Sequence, residues 1–454
     1  MSRQQAGLFN ALLSRSLSAW DGLWLLVLTL YILAGTALAP FHGDEAMQIT
    51  MSRDYFTAFV NQQPQSLPVS PPYTVDNPAW LRLINGSVNV YTIGLSLHLA
   101  GYTENDLPTL WEWPLSYDEN IARGHRPDSR MLTVSRLPSA IFLAAGAIVL
   151  FGIGWQFSER LPAYIASGLY ALSPVILLNG RRAMMEGSVL CFGLLAILLA
   201  ILICKGRTGW RWWLCLGLSS GLTLASKHSG ILFVAVTFGW LILYHLPLRK
   251  QHSHSPRPEG EGLGVRVLTQ PLIALIVSIV LTVIVFLAAS PALWSSPVER
   301  FGDLIRERQL LLESQVTAEP TAPTPLTDRL SGIITQPYIQ PPVYFEAAFW
   351  ANVTPIQAEI KAYESSPLSG LHAGIIIGGI LSLMAFWGII ITLPHWRTWH
   401  VGLLLWLALA VATLLINPLP WQRYYLALYP LATLLTAIGV TNIVTRRTSQ
   451  QKLA

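Results

Sequence analysis

The chain reads as an all-α polytopic membrane protein: one integral-membrane unit over residues 1–454, with about ten transmembrane helices and two long extracytoplasmic loops carrying interfacial helices. Three observations predict this. The 454 residues are 52% hydrophobic and only 12% charged, with a mean hydropathy of +0.47, too apolar for a soluble protein of that length. The apolar runs reach the roughly 20 residues that a helix needs to cross the hydrocarbon core. The short connecting loops carry their basic residues on one side.

Residues 1–19 are polar, with Arg3 and Arg15, and the first span follows from Gly22 to Ala39. Ala37-Leu38-Ala39 has the small-residue pattern of a signal-peptidase site, but the apolar run exceeds a usual signal core and Pro40 follows directly, so a retained anchor is expected. Residues 40–130 form the first extracytoplasmic loop, rich in proline from Pro64 to Pro127. Within it Trp80 to Leu99 is half apolar and interrupted by Arg82, Asn85, Asn89 and His98, which suits helices lying at the interface. Further spans are expected at about 131–153, 162–179, 187–204, 210–226, 229–246 and 272–290, then near 371–393, 399–416 and 424–444. The second extracytoplasmic loop is 291–370. In it Val298 to Val316 mixes Leu304, Ile305 and Leu310 with Arg300, Asp303 and Arg306, an amphipathic surface helix that floors the acceptor site or, as the favoured role, shields the loop. Residues 317–343 hold six prolines between Pro320 and Pro342 and read as irregular chain.

An even span count puts both termini on one side. That side carries Arg3, Arg15, Arg160, Lys205, Arg207, Arg211, Arg249, Lys250, Arg257, Arg266, Arg397, Arg446, Arg447 and Lys452, against Asp21, Glu159, Glu259 and Glu261. Short basic loops mark the cytoplasmic face, so both termini are expected in the cytoplasm of a multi-pass cell-membrane protein and both long loops outside. The net charge of +5 does not signal nucleic acid, because the cations sort by membrane side and form no aromatic-interleaved patch. Cys191, Cys204 and Cys215 lie in or beside apolar runs without metal-ligand spacing and read as packing residues.

The same parity places every chemically promising cluster on the outer face. Gly43-Asp44-Glu45 follows span 1; Arg181-Arg182 through Glu186 joins spans 3 and 4; Ser226-Lys227-His228 joins spans 5 and 6; Pro291 to Trp294 follows span 7; Trp421 to Tyr425 joins spans 9 and 10. Taken alone, Asp44-Glu45 equally fits a solvated loop start, Arg182 and Glu186 a helix-end ion pair, Lys227 a snorkelling lysine, and Arg423 with Trp421 and Tyr424 an ordinary aromatic belt. Together, a carboxylate pair and several cations at the water edge of a bilayer suit transfer of a group from a lipid-linked phosphate to a hydroxyl. A carboxylate accepts the hydroxyl proton and the cations stabilise the departing phosphate. His42, Glu45, Asp76 and His228 show no local ligand spacing; a divalent ion drawn from separate segments is left open and none is predicted.

On these residues the chain resembles the GT-C class of polytopic lipid-sugar glycosyltransferases, in the branch of the protein O-mannosyltransferases and the bacterial aminoarabinose transferases. Gly43-Asp44-Glu45 is similar to the family's acidic motif, which implies that Asp44 is the base and that Glu45 and Glu186 orient it or bind the acceptor. Asp76-Asn77-Pro78 resembles a later loop motif, with Asn77 where the family usually has Lys or His. Ser173-Pro174 with Arg182 and Glu186, Ala225-Ser226-Lys227, Ser290-Pro291-Ala292-Leu293-Trp294 and Arg423-Tyr424-Tyr425 with Pro430 are similar to four further elements in the family's order. The resemblance implies an inverting enzyme with a polyprenyl-phosphate monosaccharide donor and a hydroxyl acceptor. Its donor phosphate would be gathered by Arg182, Lys227, Arg423 and Tyr424, with Asp76, Arg181, His228 and Trp294 as further substrate-site candidates. The alternative reading is a secondary transporter or lipid flippase; its intramembrane charges and repeated halves are not found in the sequence.

Overall fold

The computed structural model describes residues 17–75, 77–157, 160–245, 264–319, 321–346 and 348–451. Asp76, the extreme termini and the 246–263 loop, which bear several of the sorted charges, lie outside the described residues. Among those described there is no β-strand.

The first helix, α1 (Ala19–Ala34), starts at a reciprocal cap: Ser18 Oγ accepts the Asp21 N–H at 3.2 Å and Asp21 Oδ2 accepts the Ser18 N–H at 2.7 Å. The segment that follows includes α2 (Gly43–Met51), α3 (Pro78–Ile84) and α4 (Ser87–Leu99). Then come α5 (Ser129–Phe157), α6 (Leu161–Ala171), α7 (Pro174–Arg181), α8 (Glu186–Cys204), α9 (Trp210–Ser226), α10 (Ile231–His245) and α11 (Gly264–Ala289). The second loop carries α12 (Pro297–Ala318), α13 (Leu326–Thr335) and α14 (Thr354–Glu364), and the chain closes with α15 (Gly374–Thr392), α16 (Val401–Ile416) and α17 (Tyr429–Gln451).

Helices occupy all ten expected span positions, but among the described residues only six are long and apolar enough by themselves to cross a membrane, or seven when α6 and α7 are taken as one span bent by 61°. The bend was not expected, since 162–179 reads as continuous. Its cause is Pro174, which cannot donate a backbone hydrogen bond, while Ser173 turns out of the helix and its Oγ caps the next one at Ile176 N–H, 3.4 Å away. α9 and α11 pack through small residues: Ser278 Oγ donates to the Trp213 carbonyl at 2.8 Å, and a Cβ on Gly221 would stand 2.8 Å from the Thr282 carbonyl.

Both loop segments build one body. Phe41, Trp111 and Tyr117 of the first share an apolar core with Tyr344, Phe345, Trp350 and Tyr363 of the second. Phe41 and Trp111 meet edge to face at 5.2 Å, as do Trp111 and Trp350 at 5.3 Å. α12 is fastened to the first loop by Tyr73 Oη donating to Asp303 at 3.0 Å and Trp80 Nε1 donating to Glu307 at 3.1 Å.

Candidate active site

α2 begins where the chain leaves the first apolar helix, and His42 caps it. His42 Nδ1 accepts the Asp44 N–H at 3.1 Å, and Glu45 Oε2 accepts the His42 N–H at 3.0 Å. With Nδ1 accepting, the proton of the neutral ring sits on Nε2, which donates to Glu346 Oε2 at 3.0 Å. Trp111 and Trp113 press on this helix start, so that a Cβ on Gly43 would lie 2.7 Å from Trp111 and 2.9 Å from Trp113. The register of the two acids is thereby fixed.

Those neighbouring carboxylates face different surroundings. Glu45 is fully buried; besides the His42 N–H bond, Arg136 donates to its two oxygens at 2.7 and 2.8 Å and the Ala183 N–H adds a fourth bond at 2.9 Å. Burial acts to raise its pKa, but the Arg136 charge and these hydrogen bonds hold the carboxyl below the usual glutamate range. Glu45 thus ties α2 to α5 and to the turn before α8. Asp44 instead faces a cavity of about 470 Å³ and accepts from Arg423 Nη1 at 2.6 Å. Arg423 Nε reaches Glu346 Oε1 at 3.1 Å. Against burial, Glu346 and Asp44 hold the guanidinium pKa above its ordinary value; in turn Arg423 and the His42 bond hold the Glu346 carboxyl far below its own.

The cavity lies between α2, α3, the start of α8, α12 and the 421–424 turn, with Trp113, Phe345, Phe349 and Trp350 on one side. On it Lys227 Nζ donates to Glu186 Oε1 at 2.6 Å. Lys227 is positioned by backbone contact, because Gly86 rides on the Ser226 carbonyl, where a Cβ would stand 2.0 Å away. Arg308 of α12 also lines the cavity, half-buried, and pairs with no carboxylate among the described residues. Burial pushes its pKa down and the nearby Arg423 charge adds to that. Arg423 lies over the Trp421 ring at 4.9 Å, and Tyr424 stacks on the same ring with centroids 5.8 Å apart.

Of the residues expected from sequence, Asp44, Glu186, Lys227, Arg423 and Tyr424 share this cavity. Arg181 does not reach it: its guanidinium donates to the carbonyls of Ile32, Tyr31 and Leu368 and to Tyr363 Oη. Arg182, 2% exposed, donates to the carbonyls of Pro40 at 3.1 Å and Tyr344 at 2.9 Å. His228 lines a separate small pocket with Asp54, Arg82 and Ser290, and Trp294 is 41% exposed with its indole N–H on the Leu287 carbonyl. Asp76 falls outside the described residues. Sequence reasoning missed Glu346, a lone acid in irregular chain, and Arg308, one cation among several on a helix read as shielding. The helical spacing of Arg308, Leu311 and Gln315 was the available signal that α12 turns a mixed face to the site. No three His, Cys, Asp or Glu side chains form a metal-ligand set among the described residues.

Residues 129–256, from α5 through α10, match the dolichyl-phosphate-mannose-protein mannosyltransferase family. A comparison with curated protein sequences finds no match. Among solved structures the chain is similar to the oligosaccharyltransferase of Archaeoglobus fulgidus in its apo form, at 12% identity and a TM-score of 0.54, covering 96% of this chain and 52% of that one. The AglB oligosaccharyltransferase from the same organism, in complex with an inhibitory peptide and a dolichol-phosphate, matches at 11% identity and a TM-score of 0.51, again over 96% and 52%. ArnT from Cupriavidus metallidurans, bound to undecaprenyl phosphate, matches at 11% identity and a TM-score of 0.50, over 94% of this chain and 61% of that one. The chain therefore spans between half and two thirds of the length of these proteins. It is an integral membrane protein with the GT-C glycosyltransferase fold, of the kind found in protein mannosyltransferase-like and ArnT-like enzymes.

Proposed function

We propose that the protein is an inverting glycosyltransferase that moves a monosaccharide from a polyprenyl-phosphate donor to a hydroxyl acceptor, protein, lipid or glycan, on the outer face of the membrane, with both termini in the cytoplasm. The observation that carries the reading is Asp44, a carboxylate set on the wall of the same 470 Å³ cavity as Lys227, Arg308 and Arg423. The dolichol-phosphate and undecaprenyl phosphate bound in AglB and ArnT supply the donor class.

Asp44 accepts the proton of the acceptor hydroxyl as its oxygen attacks the anomeric carbon. The bond from that carbon to the phosphate oxygen breaks on the opposite face, which inverts the anomeric centre, and the electron pair leaves with the phosphate. Lys227, Arg308 and Arg423, with the Tyr424 hydroxyl, stabilise the charge gained there. Arg423 bonds Asp44 as well, so it couples the base to the leaving group. His42 and Glu346 hold Arg423 in place, while Glu45, Arg181 and Arg182 hold the backbone that presents Asp44.

The test is detergent-solubilised full-length protein supplied with undecaprenyl-phosphate monosaccharides and a host envelope extract, assayed for release of undecaprenyl phosphate. Sugar transfer without sealed vesicles supports the reading. Vesicle-dependent movement of the intact donor, with no cleavage, would replace it with a transport function.

A further inference from the structure

The wall of the cavity beside Asp44 is built of aromatic rings. Gly43, the residue before Asp44, lies so close to Trp113 that a Cβ on it would stand 2.9 Å from the indole. The His42 ring stacks on Phe345 with centroids 4.7 Å apart and meets Trp113 edge to face at 5.8 Å. Trp113 in turn stands edge to face against Trp350 at 5.8 Å, and Phe349 leans on Trp350 at 5.2 Å. The rings are therefore held by one another and keep fixed orientations. Yet Trp113 is 37% exposed and Phe349 63%, and both line the cavity with Asp44. Large apolar faces left open beside a reactive group mark a binding surface. The charged groups bordering them are already matched, since His42 donates to Glu346 while Glu346 and Asp44 share Arg423.

The acceptor hydroxyl has to reach Asp44, so the group that bears it stands beside these rings. We infer that this group is a neutral sugar ring stacked on Trp113 and Phe349, which makes the acceptor a saccharide. A pyranose has a flat face of weakly positive C–H bonds, which suits the negative face of an aromatic ring, and carries its hydroxyls at the edge, where one can turn to the carboxylate. A peptide would bring backbone N–H and C=O groups that need partners, and this wall offers rings in place of a strand edge. A lipid chain would need an apolar path running onto the spanning helices. Phe345 and Trp350 belong instead to the core that the two loop segments share with Trp111 and Tyr363. The inference rests on the reading of Asp44 as the base.

The test supplies full-length protein in detergent with undecaprenyl-phosphate monosaccharides labelled in the sugar and with a host envelope extract. Linkage analysis after permethylation then identifies the residue that carries the label. The label should be joined to another sugar; a label on serine, threonine or a lipid alcohol overturns the inference. Trp113→Ala should raise the KM for the extract acceptor by about 10-fold or more while binding of bare undecaprenyl phosphate stays within about threefold of wild type. Trp113→Phe, which keeps a ring, should restore most of the KM. Should Trp113→Ala fail to accumulate, Phe349→Ala, at a position open to solvent, reads the same split. An unchanged KM in the alanine variants, or a loss of undecaprenyl phosphate binding in place of the KM effect, overturns the subsite. Full transfer by Asp44→Asn, or no release of undecaprenyl phosphate by the wild type, overturns instead the functional reading beneath it.

Discussion

Adjacent acids on one helix turn should give opposite phenotypes when each is made into its amide. Asp44→Asn keeps an oxygen for Arg423, whose guanidinium retains Glu346 at 3.1 Å, and the helix cap is unaffected because His42 bonds the backbone N–H of residue 44. The loss is one charge-assisted bond at a position 18% exposed, on the order of 1–2 kcal/mol. Glu45→Gln instead leaves Arg136, 1% exposed, without a counter-charge, which costs about 3–5 kcal/mol, a large part of a typical total of 5–15. Asp44→Asn should therefore accumulate and melt within a few degrees of wild type while transferring sugar about 10²- to 10⁴-fold more slowly, the loss expected for a general base. Glu45→Gln should fail to accumulate as a monodisperse species. Size-exclusion profiles and thermal melts in detergent report the fold, and single-turnover release of undecaprenyl phosphate reports the chemistry. Transfer by Asp44→Asn within about threefold of wild type would remove Asp44 as base, and a stably folded but inactive Glu45→Gln would refute the division of labour.

Arg308→Gln should weaken binding of undecaprenyl phosphate by about 10- to 100-fold, the worth of one charged hydrogen bond, with Tm unchanged or raised; calorimetric titration checks it. Gly86→Ala forces a Cβ into the Ser226 carbonyl, so one backbone must move; a stability loss of about 1–3 kcal/mol and weaker phosphate binding through a displaced Lys227 should appear in melts and the same titration. The Glu346 carboxyl is held below its ordinary value, so its pairing with Arg423 is fully present above the unfolded glutamate pKa of about 4.3 and is lost as pH falls through the folded value. The Tm difference between wild type and Glu346→Gln should accordingly stay constant from pH 8 to about 5 and shrink below about pH 4.

The acidic motif, the lysine turn and the aromatic-flanked arginine were legible because the expected ten-span parity groups them on one side, and the fold brings Asp44, Lys227 and Arg423 to one cavity. Their separate tasks were not. Glu45 and Asp44 are neighbours in sequence, and what distinguishes them is Arg136, 91 positions away. Arg182 reads as a phosphate ligand and Arg181 as a further substrate-site candidate because both cations sit in a short loop among the other polar clusters. Their partners are backbone carbonyls of Tyr31, Ile32, Pro40 and Tyr344, which no residue pattern reveals. Gly35 marks the same contact from the other side, since a Cβ there would stand 2.3 Å from the Arg181 guanidinium carbon. α12 was legible as amphipathic, but which neighbours its polar face meets depends on Tyr73 and Trp80, more than 200 residues earlier in the chain.

Elsewhere the fold pairs its ions closely. Arg82 and Asp54 share two bonds of 2.6 Å, Arg160 reaches the buried Asp21 at 3.0 Å, Arg300 reaches Asp303 at 2.9 Å, and Arg126 is joined to Glu359. The cavity instead gathers three cations, Lys227, Arg308 and Arg423, with Asp44, and Arg308 pairs with no carboxylate among the described residues. Chains break their local rules where binding, not folding, sets the requirement. A site that keeps such a cation suits a ligand that brings a negative charge. A sugar joined to a lipid phosphate brings that charge, and Asp44, the carboxylate proposed to accept the acceptor's proton, lines the same cavity.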